Sequence, residues 1–168
     1  MKSKLRRLLR EGLLLLVLLA GVMLVMDWWR APQAPAAFGS QPLSTLQGQQ
    51  VTLDNLSQDK PLLVYFWASW CGVCRFTTPD VAKLAQQGEN VLSIALQSGS
   101  GQDVERYLSK KGLSFPVVND ANGALSRSWQ ISATPTVMVI YKGKVVSTTS
   151  GWTSYWGMKL RMWWASVA

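Results

Sequence analysis

The sequence predicts an α/β domain with a mixed β-sheet, set behind one N-terminal apolar helix. Three observations predict it. Apolar runs of strand length alternate with amphipathic helical segments from residue 38 onward. The alternation ends in a hairpin followed by a terminal helix, which requires antiparallel pairing in an otherwise parallel sheet. A single uncharged run, Gly12 to Met26, stands ahead of all of it. At 168 residues the chain suits one domain with a sizeable core plus an anchoring or targeting segment.

The N-terminal run comes first. Its 15 uncharged residues would span roughly 22 Å as a helix, against a hydrocarbon core of about 30 Å. A cleaved signal peptide therefore competes with an anchor. Trp28 and Trp29 stand where interfacial aromatics belong, and Arg10 and Glu11 can snorkel to extend the span. The small-x-small site Ala34-Pro35-Ala36 lies far beyond the apolar run. These features select an uncleaved anchor over residues 12–29, with a basic segment 1–11 on the cytoplasmic side. Residues 30–37 are Pro/Ala-rich and read as a tether, and the domain is expected over 38–168. In a bacterium it would face the periplasm, where disulfides persist.

Within the domain, Leu43–Leu46 and Val51–Leu53 read as two short strands around Gly48. Leu62–Ala68, bounded by Lys60-Pro61, is a continuous apolar run suited to a central strand buried on both faces. Cys74–Gln87 is a helix with Val81, Leu84 and Ala85 as its apolar face, Pro79 inside it and Gly88 at its end. Val91–Leu96 is a second core strand, and Gln102–Lys111 an amphipathic helix stopped by Gly112. Pro116–Val118 is an edge-like strand and Ala124–Trp129 a short helix. Thr136–Tyr141 and Lys144–Thr148 form a hairpin around Lys142-Gly143, and a Trp-rich helix follows from about Thr153. Trp152, Trp156, Leu160 and Trp163 make one stripe of that helix, and Tyr155, Met158 and Met162 another. Packing within the core is the reading adopted for this helix. The competing one sets one stripe on the sheet and the other against a membrane surface or a partner.

Composition excludes several chemistries. The net charge is +8, but half of it lies in residues 1–30, and no later Lys/Arg cluster would track a phosphate backbone, so nucleic acid is not a partner. The chain has two cysteines and no histidine. Histidine acid–base catalysis and a closed four-ligand zinc site are absent. No metal and no cofactor is expected, and the chemistry must run through the two thiols.

Those thiols stand in Trp70-Cys71-Gly72-Val73-Cys74, between a buried strand and a helix. A helix N-terminus offers free N–H donors and a positive dipole end, which stabilise a thiolate at Cys71. Two intervening residues wound as a helical turn bring the sulfurs within bonding reach. Gly72 allows a substrate backbone to approach closely. Cys71 would attack a substrate disulfide and Cys74 would resolve the mixed disulfide. Trp67 reads as core, and Trp70 as a shield for the pair and a substrate face. A purely structural disulfide is the plain alternative. Closing so short a loop would stabilise by only about 2 kcal/mol.

Phe66-Trp67-Ala68-Ser69-Trp70-Cys71-Gly72-Val73-Cys74, together with Ala133-Thr134-Pro135-Thr136, resembles the thioredoxin-like family, closest to its membrane-tethered periplasmic branch. The resemblance implies a three-layer α/β/α sandwich and makes Pro135 a cis proline facing the redox pair. It also implies that the Thr134 backbone pairs with substrate while the Thr134 hydroxyl sits near Cys71. Its partners would be periplasmic protein thiols and disulfides, with a membrane thiol-electron carrier as reductant. Asp27–Pro35 and Gly151–Leu160 further resemble enterobacterial proteins that suppress copper sensitivity, implying thiol management under copper stress. Two departures stand out. The family's buried carboxylate position holds Tyr65, with Glu89 and Asp80 elsewhere in the pattern, and Val73 replaces a common proline. The sequence thus reads as a reductant, with an oxidant or isomerase, or a Cu(I)-binding module, as alternatives.

Overall fold

The computed structural model describes residues 2–29, 35 and 37–167. The chain divides into two compact units, Met1–Ala31 and Pro32–Ala168. The first is helix α1 (Lys2–Trp29), about 42 Å long at 1.5 Å per residue. Arg7 and Glu11, one turn apart on its surface, form an ion pair of 2.9 Å. Among the described residues, no helix is long and apolar enough to cross a membrane. The side chains of Trp28 and Trp29, and residues 30–34 and 36 of the expected tether, lie outside the described residues.

The second unit is built on a five-stranded mixed sheet of order β5-β4-β3-β6-β7. Its strands are β3 (Leu62–Trp67), β4 (Val91–Leu96), β5 (Val117–Asp120), β6 (Thr136–Tyr141) and β7 (Lys144–Ser150). β3, β4 and β5 run parallel, whereas β6 and β7 are antiparallel to their neighbours. Every residue of β3 is buried, because the strand is central and covered on both sides. Leu63, Tyr65 and Trp67 face a core completed by helices α3 (Cys74–Gln86), α4 (Gly101–Lys111) and α6 (Tyr155–Val167). Leu62, Val64 and Phe66 face the opposite core with Leu53, Ile94, Trp129, Met138 and Ile140. Helices α2 (Leu53–Ser57) and α5 (Ala124–Ser128) lie on that second side. The layers are helix, sheet, helix, and both cores consist wholly of residues from the second unit.

Several boundaries differ from the sequence reading. Leu53 does not extend a strand but opens α2, because the Thr52 side chain accepts a hydrogen bond from the Asn55 N–H and caps it. The strands there shrink to β1 (Leu43–Ser44) and β2 (Gln50–Val51), an antiparallel pair of their own. Thr45 bridges to Val118, so β5 is less bare an edge than its place in the sheet implies. β5 also begins one residue later and runs on to Asp120. The side chain of Asp120 accepts from Leu125 N–H and Ser126 N–H at the start of α5. β7 continues to Ser150, two residues beyond expectation. The hairpin turn is where it was expected. Lys142 and Gly143 both take positive φ, 50° and 71°, as a two-residue turn between twisted strands demands.

The terminal helix starts at Tyr155 rather than Thr153. Thr153 is buried, and Ser154 caps the helix by accepting from Gly157 N–H at 3.2 Å. Asp80 of α3 accepts the Tyr155 N–H at 2.9 Å and ties the two helices together. Core packing does not absorb the whole helix. Met158, Met162 and Ala165 are buried, while Trp156, Leu160, Trp163 and Trp164 stand in solvent.

Candidate active site

The site forms where β3 ends and α3 begins. The Ser69 N–H donates to Ser98 Oγ at 2.9 Å, and Ser98 Oγ donates to the Leu96 carbonyl. The connection is thereby pinned to the end of neighbouring β4. Trp70 is 63% exposed, yet its Nε1 donates to the Gln97 carbonyl at 3.0 Å. The ring is held at one edge and open on the other. Gln97 takes a positive φ of 43°, a conformation non-glycine residues seldom adopt.

Cys71 and Cys74 are joined as a disulfide with a Cα–Cα distance of 5.3 Å. Val73 stands at the N-cap of α3 and offers no side-chain cap. The Cys74 N–H instead donates to Cys71 Sγ at 3.1 Å. A helix N-terminal donor is therefore aimed at the sulfur that must carry negative charge once the pair is reduced. Cys71 is 7% exposed and Cys74 only 1%, so Cys71 is the sulfur nearer to a partner. A Cβ added at Gly72 would meet only Arg75 Nη2, at 3.8 Å. The space beside that backbone is open.

The loop before β6 closes the site from the other side. The Thr134–Pro135 peptide is cis, and the Thr134 carbonyl oxygen lies 3.4 Å from Cys71 Sγ. The residue thus reaches the sulfur through its backbone carbonyl. Pro135 is buried beneath. Behind it, the Gly151 N–H donates to the Pro135 carbonyl at 2.7 Å, and Thr136 Oγ1 donates to the Ala133 carbonyl. The candidate residues Trp70, Cys71, Gly72, Val73, Cys74, Thr134 and Pro135 therefore lie on two facing segments.

Beneath Cys74 the chain departs from a carboxylate-based site. Thr78 Oγ1 donates to the Cys74 carbonyl at 2.6 Å. Tyr65 Oη lies 2.8 Å from the same Thr78 oxygen and must be the donor, since the single Thr78 proton is already used. Burial pushes the Tyr65 phenol far above its ordinary value, only partly offset by the Thr78 hydrogen bond. Tyr65 is thus neutral at physiological pH and is not a base for the Cys74 proton. Glu89 pairs with Lys159 at 3.3 Å and Asp80 holds α6, so neither serves the pair. Among the described residues no cluster of His, Cys, Asp or Glu could hold a metal ion.

Sequence reasoning passed over two residues here. Thr78 stands four places after Cys74 in a helix, where a threonine back-bonds to the preceding turn; that spacing was available as a signal. Phe76 is 70% exposed. It follows Cys74 by two residues in α3, and the inward placement of Cys74 turns it outward.

The redoxin family matches residues 31–153. A thioredoxin-like protein of Haemophilus influenzae is 43% identical over 96% of this chain and 97% of its own length. The thiol-disulfide oxidoreductase ResA of Geobacillus thermodenitrificans is 29% identical over 90% of this chain and 91% of its own. Among solved structures, the pneumococcal exposed lipoprotein thioredoxin of Streptococcus pneumoniae is 26% identical. It superposes with a TM-score of 0.60 over 73% of this chain and 96% of its own. A paired Cys71–Cys74 at a helix start, faced by Thr134-Pro135, is carried on that shared fold. The chain therefore belongs to the redoxin family and is a thiol–disulfide oxidoreductase of the thioredoxin-like type.

Proposed function

We propose that the protein is a membrane-anchored, periplasm-facing reductant of protein disulfides. A membrane thiol-electron carrier recharges it, and it maintains envelope thiols under copper stress. The observation that carries the exchange step is the Cys74 N–H on Cys71 Sγ, with the Thr134 carbonyl 3.4 Å from that sulfur. One sulfur is stabilised as leaving group and nucleophile, and a backbone acceptor stands beside it for an incoming chain.

Anchoring rests on α1 and its charges. Five basic residues precede the uncharged run Gly12–Met26, which supports a cytoplasmic N-terminus by the positive-inside rule. The run alone spans roughly 22 Å, and the long side chains of Arg10 and Glu11 extend it toward the headgroups. The copper link rests on the resemblance of residues 27–35 and 151–160 to the copper-sensitivity suppressors. Cu(II) oxidises thiols to disulfides, being reduced to Cu(I), and thiolates capture the Cu(I) formed, so a thiol reductant is a fitting response to copper.

The redox state of Cys71 and Cys74 in growing cells tests this reading. Acid quenching followed by alkylation with a heavy maleimide should find the pair mostly reduced. A mostly oxidised pair overturns the reductant assignment in favour of an oxidant.

A further inference from the structure

Helix α6 is apolar on two opposite faces. Met158, Met162 and Ala165 pack on the sheet. Trp156, Leu160, Trp163, Trp164 and Val167 each lie between 57% and 74% exposed. Their spacing of i, i+4, i+7, i+8 and i+11 puts them on one continuous stripe. A helix apolar all round is normally buried, so the outer face of α6 calls for a cover. The helix is also rigidly mounted. Tyr155 N–H is held by Asp80, and Arg161 Nη1 donates to Ser147 Oγ of β7 at 2.7 Å.

Charge identifies the cover. Residues 121–168 contain five Lys or Arg and no Asp or Glu. Lys159 and Arg161 flank the stripe on either side, and the groove beside Trp163 is lined by both Lys60 and Lys159. Glu89, paired with Lys159, is the acid at this rim. A second copy docked by two-fold symmetry would set these cations against themselves. An anionic bilayer surface answers them, and tryptophan is the residue type that partitions to the headgroup level.

We propose that the exposed stripe of α6 is a lipid-interface docking surface, which seats the catalytic domain on an anionic bilayer independently of α1. No residue of the redox site belongs to the stripe, so exchange activity serves as a control. The test uses residues 38–168, whose two cores are self-contained, with vesicles of one-third phosphatidylglycerol in phosphatidylcholine. The domain should float with these vesicles, and the W156S/L160S/W163S/W164S variant should lose about tenfold in bound fraction. Its reduction of a small disulfide should be unchanged. Brominated phosphatidylcholine in the same vesicles should quench the wild-type tryptophan emission, a reading that needs no variant to fold. Absence of both flotation and quenching overturns the proposal, as does equal flotation of the variant or equal flotation with uncharged vesicles. A concentration-dependent dimer abolished by the variant also overturns it, and assigns the stripe to a second copy.

Discussion

At the scale of single residues, the two cysteines divide the work by position. Cys71 sits at the open edge and receives the Cys74 N–H, while Cys74 is sealed in the core at 1% exposure. Protein with Cys74→Ser should accumulate mixed disulfides with its protein substrates, and Cys71→Ser should trap none. Non-reducing electrophoresis followed by affinity capture decides it, and equal trapping by both variants would sink the assignment of the attacking sulfur. Tyr65 is the other residue with a distinct prediction. Its folded-state ionisation lies above the unfolded value of about 10, because burial disfavours the phenolate. The stability this contributes is complete below about pH 10 and is lost as pH rises from there through the folded value. Tyr65→Phe removes the donor to Thr78 and should cost about 0.5–1.5 kcal/mol at pH 8. It should also flatten the decline between pH 8 and 11. Urea titrations at both pH values measure this, and parallel declines for wild type and variant would refute it.

At the scale of elements, the site depends on how α3 is clamped. Its N-terminus lacks a side-chain cap, so the first turn is held by the Thr78 hydroxyl, by Cys71 Sγ and by packing on β3. Its middle is joined to α6 through Asp80, whose carboxylate occupies a helix N-terminus where negative charge is favourable. Asp80→Ala should destabilise the domain by about 1 kcal/mol. Amide exchange should rise most in the first turn of α6, with little change at β3. Uniform acceleration across the domain would argue against a local clamp. At α4 a full capping box is present. Ser100 accepts from Asp103 N–H, and Asp103 Oδ2 accepts from Ser100 N–H. The Ser100 hydrogen bonds hold the Asp103 carboxyl below the ordinary range. That cap therefore persists above the unfolded carboxylate value and is lost only as pH falls through the lower folded one.

At the scale of the whole molecule, the proposal is that a catalytic domain is confined beside a membrane. A tether of about eight residues reaches at most roughly 28 Å, so anchoring raises the effective concentration of the domain at a membrane donor without any new contact. An exported form lacking residues 1–29 should show a smaller reduced fraction of Cys71 and Cys74 than the anchored chain at equal abundance. It should also restore copper tolerance less well in cells that lack the protein. Maleimide trapping and growth on copper measure the two effects. Equal reduced fractions would mean that the donor does not depend on proximity.

The chemistry was legible in the sequence, and so was most of the fold. An apolar run as short as Leu62–Ala68, bounded by Lys60-Pro61, suits a strand covered on both sides, so β3 was legible from residue type and length together. Cys-x-x-Cys between such a strand and a helix places two thiols at a helix N-terminus by sequence order alone. Gly112 and Lys142-Gly143 mark their turns by the positive φ they require. What needed the tertiary structure were contacts between residues distant in the chain. The approach of the Thr134 carbonyl to Cys71 joins residues 63 positions apart. The capping of α6 by Asp80 joins residues 75 apart. Sequence periodicity showed two apolar stripes on the last helix, but periodicity is a property of the helix alone. Only the position of the sheet decided that Met158 and Met162 are inside and Trp156 and Trp163 outside, because burial depends on what lies opposite a face and not on how apolar that face is.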